Sequence, residues 1–236
     1  MTESAPAFRV RFYRPEDRAA VRRICAETGF LGRAVDPIFE DRELFADYLT
    51  GYYTDAEPES TLVCEVGGEI QGYLMGSRRL GQYKRYRVWN NAWLFLKGGW
   101  RYFTRPYGPA TRRYVAWLLK RAGAESPVTP PGLPHFHVNL LPAARSVTHV
   151  RTLIDSFLQY LVGHGDAGVY GQMVTFDGRR GVRMFERYGW RVIDQKEITK
   201  YRHLDPRQVF LFTIVKDLRE NSRLYGKDLH KEKAGA

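Results

Sequence analysis

This 236-residue chain is poor in several things that would define a class at once. It has two cysteines, Cys25 and Cys64, far apart and without metal-type spacing, which argues against a disulfide framework or a zinc knuckle. The first twelve residues, MTESAPAFRVRF, have neither a basic start nor an apolar stretch of signal-peptide type. The most apolar segment, WNNAWLFLKGGW, is far too short to span a bilayer. No zinc-finger, RNP or helix-turn-helix signature appears, and no internal repeat. A soluble, cytoplasmic protein with no resident metal is the expectation. Acid is also missing over one long stretch. Between Ser77 and Glu125 stand twelve basic residues and one acid, Glu125 itself, so the formal charge of +11 resides there and the rest of the chain balances.

The chain is rich enough in apolar residues, at 44%, to bury a core. FRVRF alternates with period two and reads as a strand, and PEDRAAVRRICAETG carries a helical stripe closed by Gly29 as a left-handed cap. A second short helix is expected over DRELFADYL. In TLVCEVGGEIQGYLMG two apolar runs meet at paired glycines, the pattern of a hairpin with a primed turn. The basic segment holds two helix-like stretches, NNAWLFLKGGWRYF, which Gly98 and Gly99 should interrupt, and ATRRYVAWLLKRAG. It ends in the irregular SPVTPPGLP.

HFHVNLL resumes strand periodicity, with His135, His137 and Asn139 on one face and Phe136, Val138 and Leu140 on the other. From Val150 a helical stripe runs to Gly163. A strand GVYGQMV, a helix starting near Asp177, and two strands, WRVIDQKEITKY and QVFLFTIVKDL, complete the order. The fold class is α/β, a mixed sheet flanked by helices. One domain is expected over 1–218, with 77–134 inserted in it and a polar tail over 219–236.

Three stretches taken in order, VCEVGGEIQGYLMG, HFHVNLLPAARSVTHVRTLIDSFLQYL and RRGVRMFERYGWRV, resemble the GNAT superfamily of N-acetyltransferases. The resemblance implies acetyl-CoA, or another acyl-CoA, as co-substrate. Its pantetheine would pair with Asn139, Leu140 and Leu141, and its pyrophosphate would lie on the amides and side chains of Arg145, Ser146, Val147, Thr148, His149, Val150 and Arg151. In the family's loop pattern Arg145 fits the first position, while Thr148 and Val150 replace glycines. The position of the family's proton-donating tyrosine corresponds to Phe185, and Gly178 stands where an asparagine is usual; Tyr170, Tyr188 and Tyr201 are the other tyrosines to consider.

For a catalytic base, His137 is the first candidate, because imidazole titrates near working pH, and Glu65 is the second. The acceptor would be a small-molecule or protein amine. The basic aromatic insertion reads first as a lid or a homodimer contact, with nucleic acid and an anionic membrane surface as lesser options. A catalytically silent GNAT-fold module that binds nucleic acid or an acidic partner is the alternative to an enzyme.

Overall fold

The computed structural model describes residues 7–176 and 178–219; of residues 178–181 only the backbone course is described. The polar tail, apart from Arg219, and the helix start expected near Asp177 fall outside these residues. In chain order the elements are β1 (Phe8–Phe12), α1 (Arg18–Thr28), α2 (Arg42–Asp55), β2 (Thr61–Val66), β3 (Glu69–Ser77), α3 (Leu80–Thr104), α4 (Pro109–Lys120), β4 (His135–Leu140), α5 (Val147–Gly163), β5 (Gly168–Thr175), α6 (Gly178–Arg187), β6 (Arg191–Glu197) and β7 (Phe210–Asp217). The strands form one mixed sheet in the order β1-β2-β3-β4-β5-β7-β6.

The hairpin turn falls on Gly67 and Gly68, whose φ angles of 62° and 85° are the left-handed values that a primed turn requires. Beyond it, period-two alternation sorts β2 and β3 onto two faces. Val63, Tyr73 and Met75 pack with Val21 and Ile24 of α1 and with Tyr52 and Tyr53 of α2. Leu62, Cys64 and Leu74 join Phe136 and Leu140 of β4 beneath Leu153, Phe157, Leu158 and Leu161 of α5. The strand-four alternation is therefore as the sequence implies, with its histidines turned toward the α1–α2 layer.

Two helix expectations change. Gly29 has an ordinary right-handed φ of −66°; the left-handed residues are Leu31 and Gly32. Glycine at 29 instead admits the Phe45 ring, which a Cβ there would approach to 2.5 Å. The pair Gly98–Gly99 does not interrupt α3, which runs unbroken for 25 residues. Tertiary contacts override the weak propensity: Leu44 of α2 packs at Gly98, and Lys97 and Arg101 on either side are ion-paired to Asp47 and Asp41 of α2 and its cap.

A buried carboxylate ties the insertion to the sheet. Glu57 is fully buried and accepts hydrogen bonds from Tyr52 Oη at 2.6 Å and from Ser60 Oγ, Ser77 Oγ and the Arg78 amide at 2.7 Å each. It thereby satisfies groups from α2, the end of β3 and the approach to α3 together.

Candidate active site

The sheet opens where β4 meets β5. These parallel strands pair only at His135–Tyr170 and Phe136–Gly171, whereas β3 and β4 match along six pairs. Past Phe136 that edge of β4 has no strand beside it among the described residues. Which backbone groups face that gap follows from parity. The Tyr170 amide donates to Pro134 O at 2.9 Å, so even-numbered residues of this strand turn toward β5. The Leu141 amide donates to Gln71 O at 2.8 Å, so odd-numbered residues turn toward β3. The groups at the gap are accordingly those of Val138 and Leu140. Asn139 and Leu141, expected at this edge, point their backbone away from it. The Asn139 side-chain Nδ2 donates to Thr28 Oγ1 at 2.9 Å and to Tyr73 Oη at 3.0 Å, tying α1 to the sheet.

At the end of β4 the chain turns through Pro142–Ala144 into α5. Ser146 is the N-cap, its Oγ accepting from the His149 amide at 3.0 Å. The Ser146 amide donates to Ala144 O and the Val150 amide to Ser146 O. Of the five amides from 146 to 150, those of Val147 and Thr148 have no partner among the described residues. The Val150 side chain packs against the core under α5, while Thr148 is exposed. His149 turns inward, Nδ1 2.8 Å from Ala144 O and its ring stacked 4.0 Å from Phe8. Arg145 Nη2 donates to Leu140 O and Gly32 O, both at 3.0 Å, and so bridges the tip of β4 to the loop after α1. Arg151 is exposed and lies 3.4 Å from Asp155.

On the other face, the odd-numbered residues of β4 meet α2, α3 and β5. His135 is buried, with Nε2 2.8 Å from Tyr53 Oη and Nδ1 without a partner among the described residues. Its ring centre lies 4.5 Å from Tyr83, 5.5 Å from Tyr170 and 5.9 Å from His137, and Tyr53 lies 5.9 Å from both histidines. His137 keeps some surface exposure, yet its ring is deeply set. Burial, reinforced by the charge of Arg87, pushes it down to about 4. Burial, then His137 and Arg87, pushes His135 down to about 3. Both imidazoles are neutral at pH 7. Burial raises Tyr170, so its phenol keeps its proton there.

Arg87 of α3 places its charge beside this cluster. It donates to Tyr48 Oη at 3.1 Å and lies over the rings of Tyr48 and Tyr83 at 4.9 and 5.7 Å, with no carboxylate partner among the described residues. Arg87 is one of the insertion's basic residues, whose arginines the sequence suggests as the lining of a groove for an anionic acceptor or the cofactor's phosphates; Tyr53 and Tyr83 stand out by no motif. The helical spacing of Tyr83 and Arg87 in YKRYR was the available signal.

Glu65 does not join this group. It lies on β2, separated from β4 by β3, and accepts from Arg11 Nε at 2.7 Å, while Arg11 also clasps Asp17 at 2.6 and 2.9 Å. Phe185 is a core residue beside Phe212. Tyr201 is buried against Phe30, and Tyr188 is exposed. Of Tyr170, Tyr188 and Tyr201, Tyr170 is the one that the fold brings beside a histidine, His135, where Tyr53 and Tyr83 also lie. A groove on the outer faces of α1 and α2 contains none of these residues. Its charges are matched internally, as in Arg22–Glu43 at 2.6 Å and Arg42–Asp36 at 2.6 Å. Among the described residues no three His, Cys, Asp or Glu side chains converge as a metal site would require.

No family model matches the chain, and neither does any curated protein sequence. Solved structures do match it. SsHAT is 26% identical with a TM-score of 0.59, over 90% of this chain and 99% of that one. The Salmonella typhimurium yncA, a putative acetyltransferase solved with acetyl-CoA, is 16% identical with a TM-score of 0.51, over 90% and 94%. A GCN5-related N-acetyltransferase from Kribbella flavida is 15% identical with a TM-score of 0.51, over 89% and 98%. The chain has the fold of the GNAT N-acetyltransferases, a seven-stranded mixed sheet flanked by helices.

Proposed function

We propose that this protein is an acyl-CoA-dependent N-acyltransferase that moves an acyl group, acetyl in the first instance, from a CoA thioester to an amine by direct attack. The observation that carries the reading is the edge of β4 past Phe136, which no described strand covers and which leads directly to the open amides at the start of α5. An extended amide-bearing chain can add to Val138 and Leu140 as a strand would, and a diphosphate can take the amides of Val147 and Thr148 at the positive end of the helix. The Ser146 and Thr148 hydroxyls and the exposed Arg151 supply further donors and charge. Arg145 and His149 keep the loop in shape through the carbonyls that they hold, so their part is positioning. These residues fit acyl-CoA, which when bound supplies the activated acyl group.

The chemistry left to the chain is modest. Attack on a thioester needs a neutral, oriented amine, a polarised carbonyl and a proton for the departing thiolate. The Leu140 amide, turned to the gap, is the donor for the carbonyl oxygen. Neutral His137 accepts a hydrogen bond from the amine and aims its lone pair; so low a pKa favours this over full proton abstraction. Tyr170, protonated at neutral pH, gives its proton to the departing thiolate, and the proton that the amine sheds as the amide forms restores the phenol, so that it leaves with the CoA thiol. Arg87 has no carboxylate partner among the described residues, so an acceptor that carries a carboxylate or another anionic group meets a partner there.

Release of CoA thiol from acetyl-CoA, followed across matched amines with and without a carboxylate, tests this reading. Turnover is expected with the carboxylate-bearing set, and Arg87→Met should raise KM for that set alone. Thiol release from no amine of either set would overturn the acyltransferase reading; equal turnover of both sets would remove only the role of Arg87.

A further inference from the structure

Helix α3 has two faces of opposite character. The inner face is bound to α2. Tyr83 and Tyr86 pack on Tyr52 at 4.9 and 5.2 Å, Leu94 is buried, Arg87 donates to Tyr48, and Lys97 and Arg101 pair with Asp47 at 2.6 Å and Asp41 at 2.8 Å. The outer face carries Val88, Trp89, Trp93, Phe95, Leu96, Trp100 and Phe103, each between 62% and 87% exposed. At about 100° per residue these seven fill the half-turn opposite the anchors. Rolling the helix to hide them would pull Lys97 and Arg101 from their carboxylates, so the apolar face is held outward.

Such a face implies an occupant, and the charge around it selects one. Neither α3 nor α4 has an acidic residue. On α3 itself, Lys84 and Arg85 are exposed and have no carboxylate partner among the described residues. Arg85 lies on the apolar side of α3 itself. A second copy of the chain docked here would bring this positive charge against its like. A nucleic acid would answer the charge and leave Val88, Phe95 and Leu96 without apolar company. A bilayer of anionic lipid answers both: indole rings favour the headgroup level, aliphatic and phenyl groups the acyl boundary below it, and basic residues the lipid phosphates. The apolar run from Val88 to Phe103 is about 24 Å long at about 1.5 Å per residue. No helix among the described residues is long and apolar enough to cross a membrane. The contact is therefore along the surface.

We propose that the outer face of α3 docks the protein, in plane, on an anionic lipid surface. Three of the five tryptophans lie on that face and Trp190 is buried, so indole emission reports the event directly. The full chain would be sedimented with phosphatidylcholine vesicles containing about 30% phosphatidylglycerol and with phosphatidylcholine alone. Co-sedimentation with a blue-shifted emission is expected for the anionic vesicles, and binding about tenfold weaker or more for the neutral ones. Trp93→Glu with Trp100→Glu should weaken binding by about tenfold or more at an unchanged melting temperature, because both sites are exposed. Lys84→Ala with Arg85→Ala should weaken it and blunt its salt dependence. Three results would overturn the proposal: no binding to either vesicle, a stable homodimer by light scattering that the tryptophan pair of substitutions dissolves, or salt-sensitive binding to single-stranded nucleic acid with none to vesicles.

Discussion

Acid should loosen this protein through His135 before it affects the carboxylates in general. The imidazole is 3% exposed, one ring nitrogen faces Tyr53 Oη at 2.8 Å and the other has no partner among the described residues, so a proton added there gains no compensating contact from them. Burial lowers it from 6.5 to about 3 in the folded state. Below pH 6.5 the unfolded chain takes up a proton that the folded chain refuses; stability is complete above that pH and falls as the pH descends toward 3. Between pH 6.5 and about 4.5 the loss is about 2 kcal/mol, approaching about 1.36 kcal/mol per pH unit once the unfolded imidazole is mostly protonated. His137, pushed down to about 4, acts in the same direction, and because the two rings are neighbours their losses are not simply additive. Urea unfolding followed by tryptophan emission, at neutral pH and near pH 4.5, should be compared for the native chain and His135→Gln. Glutamine can still meet the Tyr53 hydroxyl but does not titrate. The native chain should lose about 2 to 3 kcal/mol more than the variant on acidification. Equal losses would refute the claim that folding excludes the proton at His135.

Tyr170→Phe should lower kcat by about a hundredfold or more at little cost in KM, and should abolish the fall in activity of the native enzyme as alkaline pH removes the phenolic proton. Glu57→Ala should destabilise the fold by at least about 3 kcal/mol in urea titrations, since three hydroxyls and an amide lose their acceptor and a buried unsatisfied group costs about 1–3 kcal/mol. Ser146→Ala removes the cap on the His149 amide and should cost about 1 kcal/mol of stability by the same measurement.

The strands and the paired-glycine turn were legible in the sequence because period-two alternation and left-handed turn residues are local signals. The apolar stripe of α5 was equally plain, and the α/β architecture followed from their order. What escaped depended on partners distant along the chain. Whether Asn139 or Leu140 faces the gap is decided by the register with β3, fixed where the Leu141 amide meets Gln71. His149 has a phosphate-loop position but is claimed by Phe8, over 140 residues earlier. Glu65 on a strand is an open carboxylate in one dimension and the partner of Arg11 in three. The continuity of α3 through Gly98 depends on Leu44, and the importance of Glu57 on four donors that no spacing rule gathers. The departures from the family pattern at Thr148, Val150 and Phe185 were visible at once. Their consequence was not, since only the packing shows Val150 and Phe185 in the core.

The acyltransferase account rests on an open cleft that accepts an acyl-CoA. Its most direct test is the melting temperature of the full chain titrated with CoA, acetyl-CoA and longer acyl-CoAs. Ligand at about one hundred times its Kd should stabilise the fold by about 2.7 kcal/mol, raising the melting temperature by several degrees. A melting temperature unmoved by every one of these thioesters and by CoA itself would contradict the account.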